Sequence, residues 1–279
     1  MSSNDLLESV KKLREVTGVG FKDCKLAIDE SKGDIDKAIE FLRKKGIAKA
    51  SNKMSRTAAE GLCILHEENG EVSLIEINSE TDFVAKNKLF ISFCKEVSII
   101  NFENKSDLTK VNKASMKNNL TVETNLIDLI AKMGEKITIR RSTFFNNTNG
   151  KNSFYVHGAY ENKIGKIISI VKTSKEDEIG KKIAMHVSAL SPMALEEKDL
   201  GKDIMDKEIE IIKAELLNSG KPPEMIEKIA KGKINKFISD NTLLNQVWIM
   251  DPKMKVSDIL KHSDIKIIDY IRYKVGEGV

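Results

Sequence analysis

The side chains best suited to chemistry are few and scattered along this sequence. It contains three cysteines and four histidines, namely Cys24, Cys63, Cys94, His66, His157, His186 and His262. A zinc site or a disulfide framework needs such residues at short, fixed spacings, for example C-x-x-C or paired histidines one helical turn apart. Neither spacing occurs in the sequence. We therefore predict neither a metal site nor a disulfide, and the odd number of cysteines favours a reducing compartment.

Motifs that hold nucleotides or activate nucleophiles are also absent. Six Gly-Lys pairs occur, beginning at Gly150, Gly165, Gly180, Gly201, Gly220 and Gly232. Each lacks the glycine five residues upstream and the following Ser or Thr of a phosphate-binding loop. His66-Glu67-Glu68 lacks the second histidine of a zincin helix, and G-x-S-x-G does not occur. The motif search favours a protein that is not an enzyme and that needs no cofactor.

Composition narrows the class of protein further. The 279 residues suggest two domains or slightly more, and 41% hydrophobic residues exclude a disordered chain. The net charge of +4 arises from 46 basic and 42 acidic residues, a smaller surplus than a dedicated nucleic-acid binder usually carries. The longest aliphatic stretch, near Ile167–Val171, is too short to span a membrane. With no secretory signal in the sequence, we expect a cytoplasmic protein.

The first part of the chain predicts a bundle of three short helices over residues 5–46. Glycines separate the helices, and Asp34 is placed to cap the third helix, which we expect to end before Gly46. This Gly-x-Gly loop and Gly-Asp-Ile helix start resemble a ubiquitin-associated (UBA) bundle. A polar linker from Lys49 to Arg56 follows. Its basic residues are typical of a solvated tether, and phosphate contact is the alternative interpretation.

The rest of the chain predicts an α+β core that is duplicated. A hairpin turning at Asn69-Gly70 precedes an apolar helix, and residues 154–171 followed by a helix from Asp177 repeat that plan. A helix over 123–133 and a strand over 137–141 lie between the two copies. The predicted domains are 1–53 (UBA-like bundle and linker), 54–141 (core N-subdomain) and 142–279 (core C-subdomain).

An inserted helical hairpin interrupts the second subdomain at about residues 201–240. Apolar residues recur at alternating intervals of four and three along its first helix, the pattern of a coiled coil. These are Met205, Ile209, Ile212 and Leu216, and the return helix carries Met225, Ile229, Ile234 and Phe237. Pro222 and Pro223 mark a turn that neither helix can cross. The sequence therefore predicts an antiparallel coiled-coil hairpin.

Three segments together resemble a known family. They are TGVGFKDCK at 17–25 with Gly-Asp-Ile at 33–35, SETDFVAKN at 79–87, and IRYKVGEG at 271–278. In this order and spacing the chain is similar to bacterial elongation factor Ts along essentially its whole length. Residues 156–158 and 184–189 add to the resemblance.

The resemblance implies a guanine-nucleotide exchange factor that acts on the GTPase elongation factor Tu and catalyses no bond chemistry. It implies that Thr81, Asp82, Phe83 and Val84 bind the partner and disturb its magnesium and phosphate site. It implies further partner contacts at Arg14, Phe21, Lys25, Met133 and His157. It also implies that the chain itself binds no nucleotide, metal, DNA or membrane.

Three of the candidate residues also have an ordinary structural interpretation. Asp82 precedes an apolar helix, where an aspartate commonly caps backbone N–H groups. Phe83 is of a type usually found in a core, and His157 is of a type usually hydrogen-bonded within a sheet. Two other functions remain open: an adaptor based on the UBA-like bundle, and an RNA-binding protein based on the linker lysines, whose affinity would fall steeply with salt.

Overall fold

A computed structural model gives the fold and describes residues 3–17, 19–51, 53, 55–217 and 222–279. The helices are α1 Ser3–Thr17, α2 Phe21–Glu30, α3 Ile35–Ser51, α4 Asp82–Ala85, α5 Lys88–Glu103, α6 Leu108–Lys113, α7 Val122–Met133, α8 Glu178–Leu190, α9 Lys202–Leu217, α10 Pro223–Asn241 and α11 Val256–Ser263. The strands are β1 Glu60–Glu68, β2 Glu71–Ser79, β3 Ile137–Phe145, β4 Lys151–Glu161, β5 Ile164–Thr173 and β6 Ile267–Lys274. The predicted α+β class, with N-terminal helices before an antiparallel sheet, is confirmed.

The chain forms two compact units. The first comprises residues 1–146, 158–168 and 273–279, and the second comprises residues 147–157 and 169–272. β4, β5 and β6 therefore contribute residues to both units. The subdomain boundaries inferred from the sequence remain a prediction.

The N-terminal helices pack around a small core of their own. Val10 and Leu13 of α1 meet Cys24, Ala27 and Ile28 of α2, and all five side chains are buried. α3 does not end before Gly46 as predicted, but continues to Ser51 and takes in the start of the expected linker.

The extended part of α3 has a tertiary cause. α3 packs along α7 within the first unit, and the Ala131 methyl group lies 3.4 Å from where a Cβ on Gly46 would stand. Because contacts with another helix stabilise a helix beyond its intrinsic propensity, a glycine that would end an isolated helix is here kept inside one.

The sheet of the first unit is built on the β1–β2 hairpin. Its turn at Asn69 and Gly70 has both residues at positive φ (53° and 78°), as a two-residue hairpin turn requires. β3 pairs antiparallel with β2, and the start of β5 pairs antiparallel with β1. β3 runs to Phe145, beyond the predicted end at residue 141. Leu62, Ile75 and Ile77 pack against α5, which covers this face of the sheet.

The second unit has its own apolar core. α8 begins at Glu178, one residue after the predicted start, and Asp177 caps it, its carboxylate accepting a hydrogen bond from Ile179 N at 2.9 Å. The inner face of α8 packs with β5, α11 and the segment around Trp248. His186 of α8 is buried there, stacked on Trp248 with ring centroids 5.1 Å apart.

α9 and α10 contact each other, and a salt bridge of 2.6 Å between Lys233 Nζ and Glu215 Oε1 links them. Ile212 and Leu216 are buried, as the spacing along α9 predicts. On α10 the predicted inward position of Met225 is wrong, since 54% of that side chain is exposed. The part of the predicted turn at 220 and 221 lies outside the described residues.

Candidate functional site

Residues 81–84 lie just after β2 and present one exposed side chain, that of Phe83. Thr81 is the N-cap of α4, a helix of only four residues. Val84 and Ala85 are buried in the core of the first unit, whereas the Phe83 side chain is 81% exposed. The interpretation of Phe83 as a core residue is therefore wrong. Two buried neighbours fix one side of the helix, and the aromatic ring points outward.

Asp82 does not cap the helix, because it is the first helical residue and Thr81 occupies the capping position. The capping interpretation of Asp82 is therefore also wrong. Its carboxylate accepts a hydrogen bond from Lys86 Nζ at 2.5 Å, one helical turn away. The hydrogen bond from Lys86 and the positive charge of Lys86 lower the pKa of Asp82. The same hydrogen bond and the negative charge of Asp82 raise the pKa of Lys86. The segment thus presents an ionised carboxylate beside an exposed aromatic ring.

Two further carboxylates, neither of which a sequence pattern indicates, hold the 81–84 segment. Thr81 donates from its backbone N to Glu135 Oε2 at 3.0 Å and from its hydroxyl to Glu135 Oε1 at 2.6 Å. Glu80 Oε1 accepts from Lys136 N at 2.5 Å and from Arg56 Nη1 at 3.4 Å. No local sequence signal joins these residues, since more than fifty positions of the chain separate the Thr81–Glu135 partners.

The other predicted contact residues lie on separate elements. Arg14 at the end of α1, Phe21 at the start of α2 and Lys25 on α2 are exposed. Met133 ends α7, is partly buried against the core of the first unit, and precedes Glu135 by two residues. His157 is exposed on β4 in the second unit, its ring centroid 6.2 Å from that of Tyr155. Of these residues, only Met133 is close in sequence to a group that contacts the 81–84 segment.

The three cysteine thiols are enclosed by the surrounding structure. All three cysteines are free and buried, and burial raises the pKa of each thiol. A thiol with a raised pKa carries little of the nucleophilic thiolate at neutral pH. Within the described ranges, no cluster of three or more His, Cys, Asp or Glu side chains could hold a metal ion. No helix in that part of the chain is long and apolar enough to cross a membrane.

Comparison with known proteins identifies the class. A family model described as "Elongation factor TS" matches residues 80–277. The chain is also 38% identical over 271 residues to the protein named "Elongation factor Ts" from Psychrobacter arcticus, covering 97% of this chain and 90% of that protein. These matches, on an α+β fold with an exposed Phe83 in the 81–84 segment, place the chain among the translation elongation factors. Within that class, the chain belongs to the elongation factor Ts family.

Proposed function

We propose that this protein binds the GDP-bound GTPase elongation factor Tu in the cytoplasm and promotes release of GDP, so that GTP can bind. Residues 81–84 would act on the magnesium and phosphate site of the partner. The observation that carries the proposal is the exposure of Phe83 on a helix whose next two residues are buried. Family membership supports the same role.

The physical requirement for exchange is that the factor and the nucleotide weaken each other's binding. Linkage makes this antagonism reciprocal, so the factor needs contacts that form only when the nucleotide site is distorted. An aromatic ring such as Phe83 can fill an apolar pocket opened by that distortion. The Asp82 carboxylate beside it would repel phosphate or compete for magnesium.

The remaining predicted contacts would supply affinity. We assign Arg14, Phe21 and Lys25 on the UBA-like bundle to one contact surface, and Met133 and His157 to further contacts in the core. The α9–α10 pair would act as a coiled-coil arm that extends the contact area. Its stripe of apolar residues is short for a stable isolated pair of helices, so we expect the arm to contact a second surface. The domain division at 1–53, 54–141 and 142–279 belongs to the same proposal.

The test is the release of a fluorescent GDP analogue from elongation factor Tu, followed by stopped flow over a range of factor concentrations. Phe83→Ala should lower the maximal release rate by about 30- to 1000-fold, the loss expected for an aromatic anchor at an interface. Ile99→Ala, which shortens another exposed apolar side chain of the first unit, is the matched control and should change the rate little. Release at the parent rate with Phe83→Ala would assign exchange to another element.

A further inference from the structure

Just beyond the β2–β3 ladder, hydrogen bonds from backbone N–H groups to side-chain carboxylates take the place of the backbone hydrogen bonds between the two strands. In the antiparallel register, Ser79 of β2 lies opposite Ile137 of β3, the last pair of the ladder. Continuing that register places residue 80 opposite 136 and residue 81 opposite 135. At both positions a glutamate side chain accepts a bond from the backbone N–H across the gap: Glu80 from Lys136, and Glu135 from Thr81. We call Glu80 and Glu135 together the carboxylate clamp.

The Thr81 side chain bonds to Glu135 and does not cap α4. A threonine at an N-cap normally accepts a hydrogen bond from a helix N–H group. Here its hydroxyl instead donates to Glu135, and its backbone N–H donates to the second oxygen of the same carboxylate. The Thr81 carbonyl accepts from Ser79 Oγ at 2.9 Å. Every polar group of Thr81 is thus engaged immediately before the exposed Phe83.

Glu135 reaches this position because of the way α7 ends. Gly134 adopts a left-handed conformation (φ 76°) and closes the helix with a bond from its N–H to Ile130 O at 3.0 Å. Glycine adopts this conformation without the strain that a side chain would bring. The chain then turns directly into β3, so Glu135 stands at the junction of two regular elements and not in a long loop. Such a support holds a neighbouring residue more rigidly than a loop would.

We propose that Glu135 is a positioning residue for exchange, one that fixes Thr81 and thereby the direction in which Phe83 projects. The inference rests on the proposed function of residues 81–84. A four-residue helix is too short to persist by itself. Val84 and Ala85 anchor its far side, and the carboxylate clamp anchors its start. Fixing the segment in advance spares the conformational entropy that would otherwise be lost on binding.

The test combines exchange kinetics with a measurement on the free protein. Glu135→Gln keeps the size of the side chain but removes its charge. Its amide can still accept from the Thr81 backbone N–H and donate to the Thr81 hydroxyl, so both hydrogen bonds become neutral and weaker. We expect the maximal rate of GDP release to fall by about 5- to 10-fold, the loss associated with turning one charge-assisted hydrogen bond into a neutral one. Amide hydrogen exchange should become faster at residues 80–85 and stay unchanged in the strands of the sheet. Glu123→Gln, an exposed glutamate on α7, is the matched control for lost charge.

A second pair of variants separates positioning from a general structural role. Thr81→Val removes only the hydroxyl donor and should slow release, whereas Thr81→Ser restores that donor and should recover most of the loss. The double variant Glu135→Gln with Thr81→Val should lose less than the product of the two single losses, because both changes weaken the same Thr81–Glu135 contact. Additive losses, or a Glu135→Gln protein with the parent rate and parent amide exchange, would overturn the proposal.

The two proposals fail in different ways. If the parent protein accelerates release and Phe83→Ala is slow but Glu135→Gln is not, only the positioning role is wrong. If the parent protein does not accelerate release, the proposed function is wrong. In that case, faster amide exchange at residues 80–85 in Glu135→Gln still supports the clamp, and unchanged exchange refutes it.

Discussion

Replacing Glu76 with glutamine should destabilise the first unit by about 3 kcal/mol, near the lower end of the range for breaking a buried ion pair. Glu76 is fully buried in β2. Its Oε2 accepts from Arg141 Nε at 2.5 Å, and its Oε1 accepts from Arg140 Nη1 at 3.0 Å, Asn78 Nδ2 at 3.0 Å and Gly276 N at 2.9 Å. A glutamine that keeps its oxygen at the Oε1 position retains three donors but points its amide at the Arg141 donor.

The magnitude follows from those partners. One charge-assisted bond is lost, worth about 1.5–3 kcal/mol, and the amide leaves two donors facing each other. The Arg140 and Arg141 side chains are 24% and 32% exposed, so water can solvate part of their uncompensated charge. This keeps the cost below that of a fully buried unpaired charge. The surrounding bonds from Gly276 N to Glu76, and from Arg140 and Arg141 to the carbonyls of Glu277 and Lys274, tie the C-terminal segment to the sheet.

The assay is denaturant-induced unfolding followed by circular dichroism, together with amide exchange at residues 273–279. Fluorescence of the single tryptophan is less suitable, because Trp248 lies in the second unit. Exchange in the C-terminal segment should quicken in Glu76→Gln. Glu68→Gln, at the exposed end of β1, is the control and should stay within about 0.5 kcal/mol of the parent. A Glu76→Gln protein as stable as this control would refute the reasoning.

The hydrogen bonds of Glu76 also predict that the stability of the folded protein depends on pH. Burial by itself raises the pKa of Glu76, but the hydrogen bonds from Gly276, Arg141 and Asn78 with the charge of Arg141 outweigh burial and leave the pKa lowered. The folded protein therefore holds fewer protons than the unfolded chain under acidic conditions. The contribution of the Glu76 carboxylate to folding stability is complete above its pKa in the unfolded chain, about 4.3, and is lost as the pH falls through its lower pKa in the folded protein. Glu76→Gln should lose less stability over that acidic range than the parent does.

Three further predictions concern other elements. Ile212→Asp should lower the stability of the protein by about 2–5 kcal/mol and quicken amide exchange in α9 and α10, because the Ile212 side chain is only 3% exposed. Ile211→Asp is the control and should cost far less, because the Ile211 side chain is 61% exposed. Equal effects would contradict the assigned inner face of α9. Gly46→Leu should lower stability by about 1–3 kcal/mol, since a larger side chain must displace Ala131 of α7, and an unchanged melting temperature would mean that α3 does not pack there. Asp82→Asn should leave the melting temperature unchanged, because exposed ion pairs contribute little, but should slow stimulated GDP release by about tenfold if its charge acts on the partner; a parent rate would remove the carboxylate from the mechanism.

Local chemistry made several elements predictable from the sequence. The start of α8 near Asp177 and the end of α7 at Met133 were predictable because capping depends on residues within one turn. The Asn69-Gly70 turn and the buried positions on α9 followed from equally short patterns. The segment at 79–87 stood out through resemblance to a family, although its sequence alone gave Phe83 and Asp82 ordinary structural roles.

Contacts between distant parts of the chain were decided by the tertiary structure. Gly46 continues a helix because α7 lies beside it, and Thr81 meets Glu135 because β2 and β3 share a register. The pairing of Glu76 with both Arg140 and Arg141 depends on a register shift in β3 opposite Glu76. Successive strand residues normally point to opposite faces, and this irregularity lets two consecutive arginines reach one carboxylate.

The sequence by itself determined the Asn69-Gly70 hairpin, the extent of α7 and the buried side chains on α9, and a resemblance to a family selected Phe83 for a functional test. The tertiary structure decided that Phe83 is exposed and which carboxylates support its segment. The reason is physical: caps, turns and periodicity act over a few residues, whereas the Thr81–Glu135 and Glu76–Gly276 contacts join positions 54 and 200 residues apart. Such contacts exist only once strand pairing has set the register of the sheet.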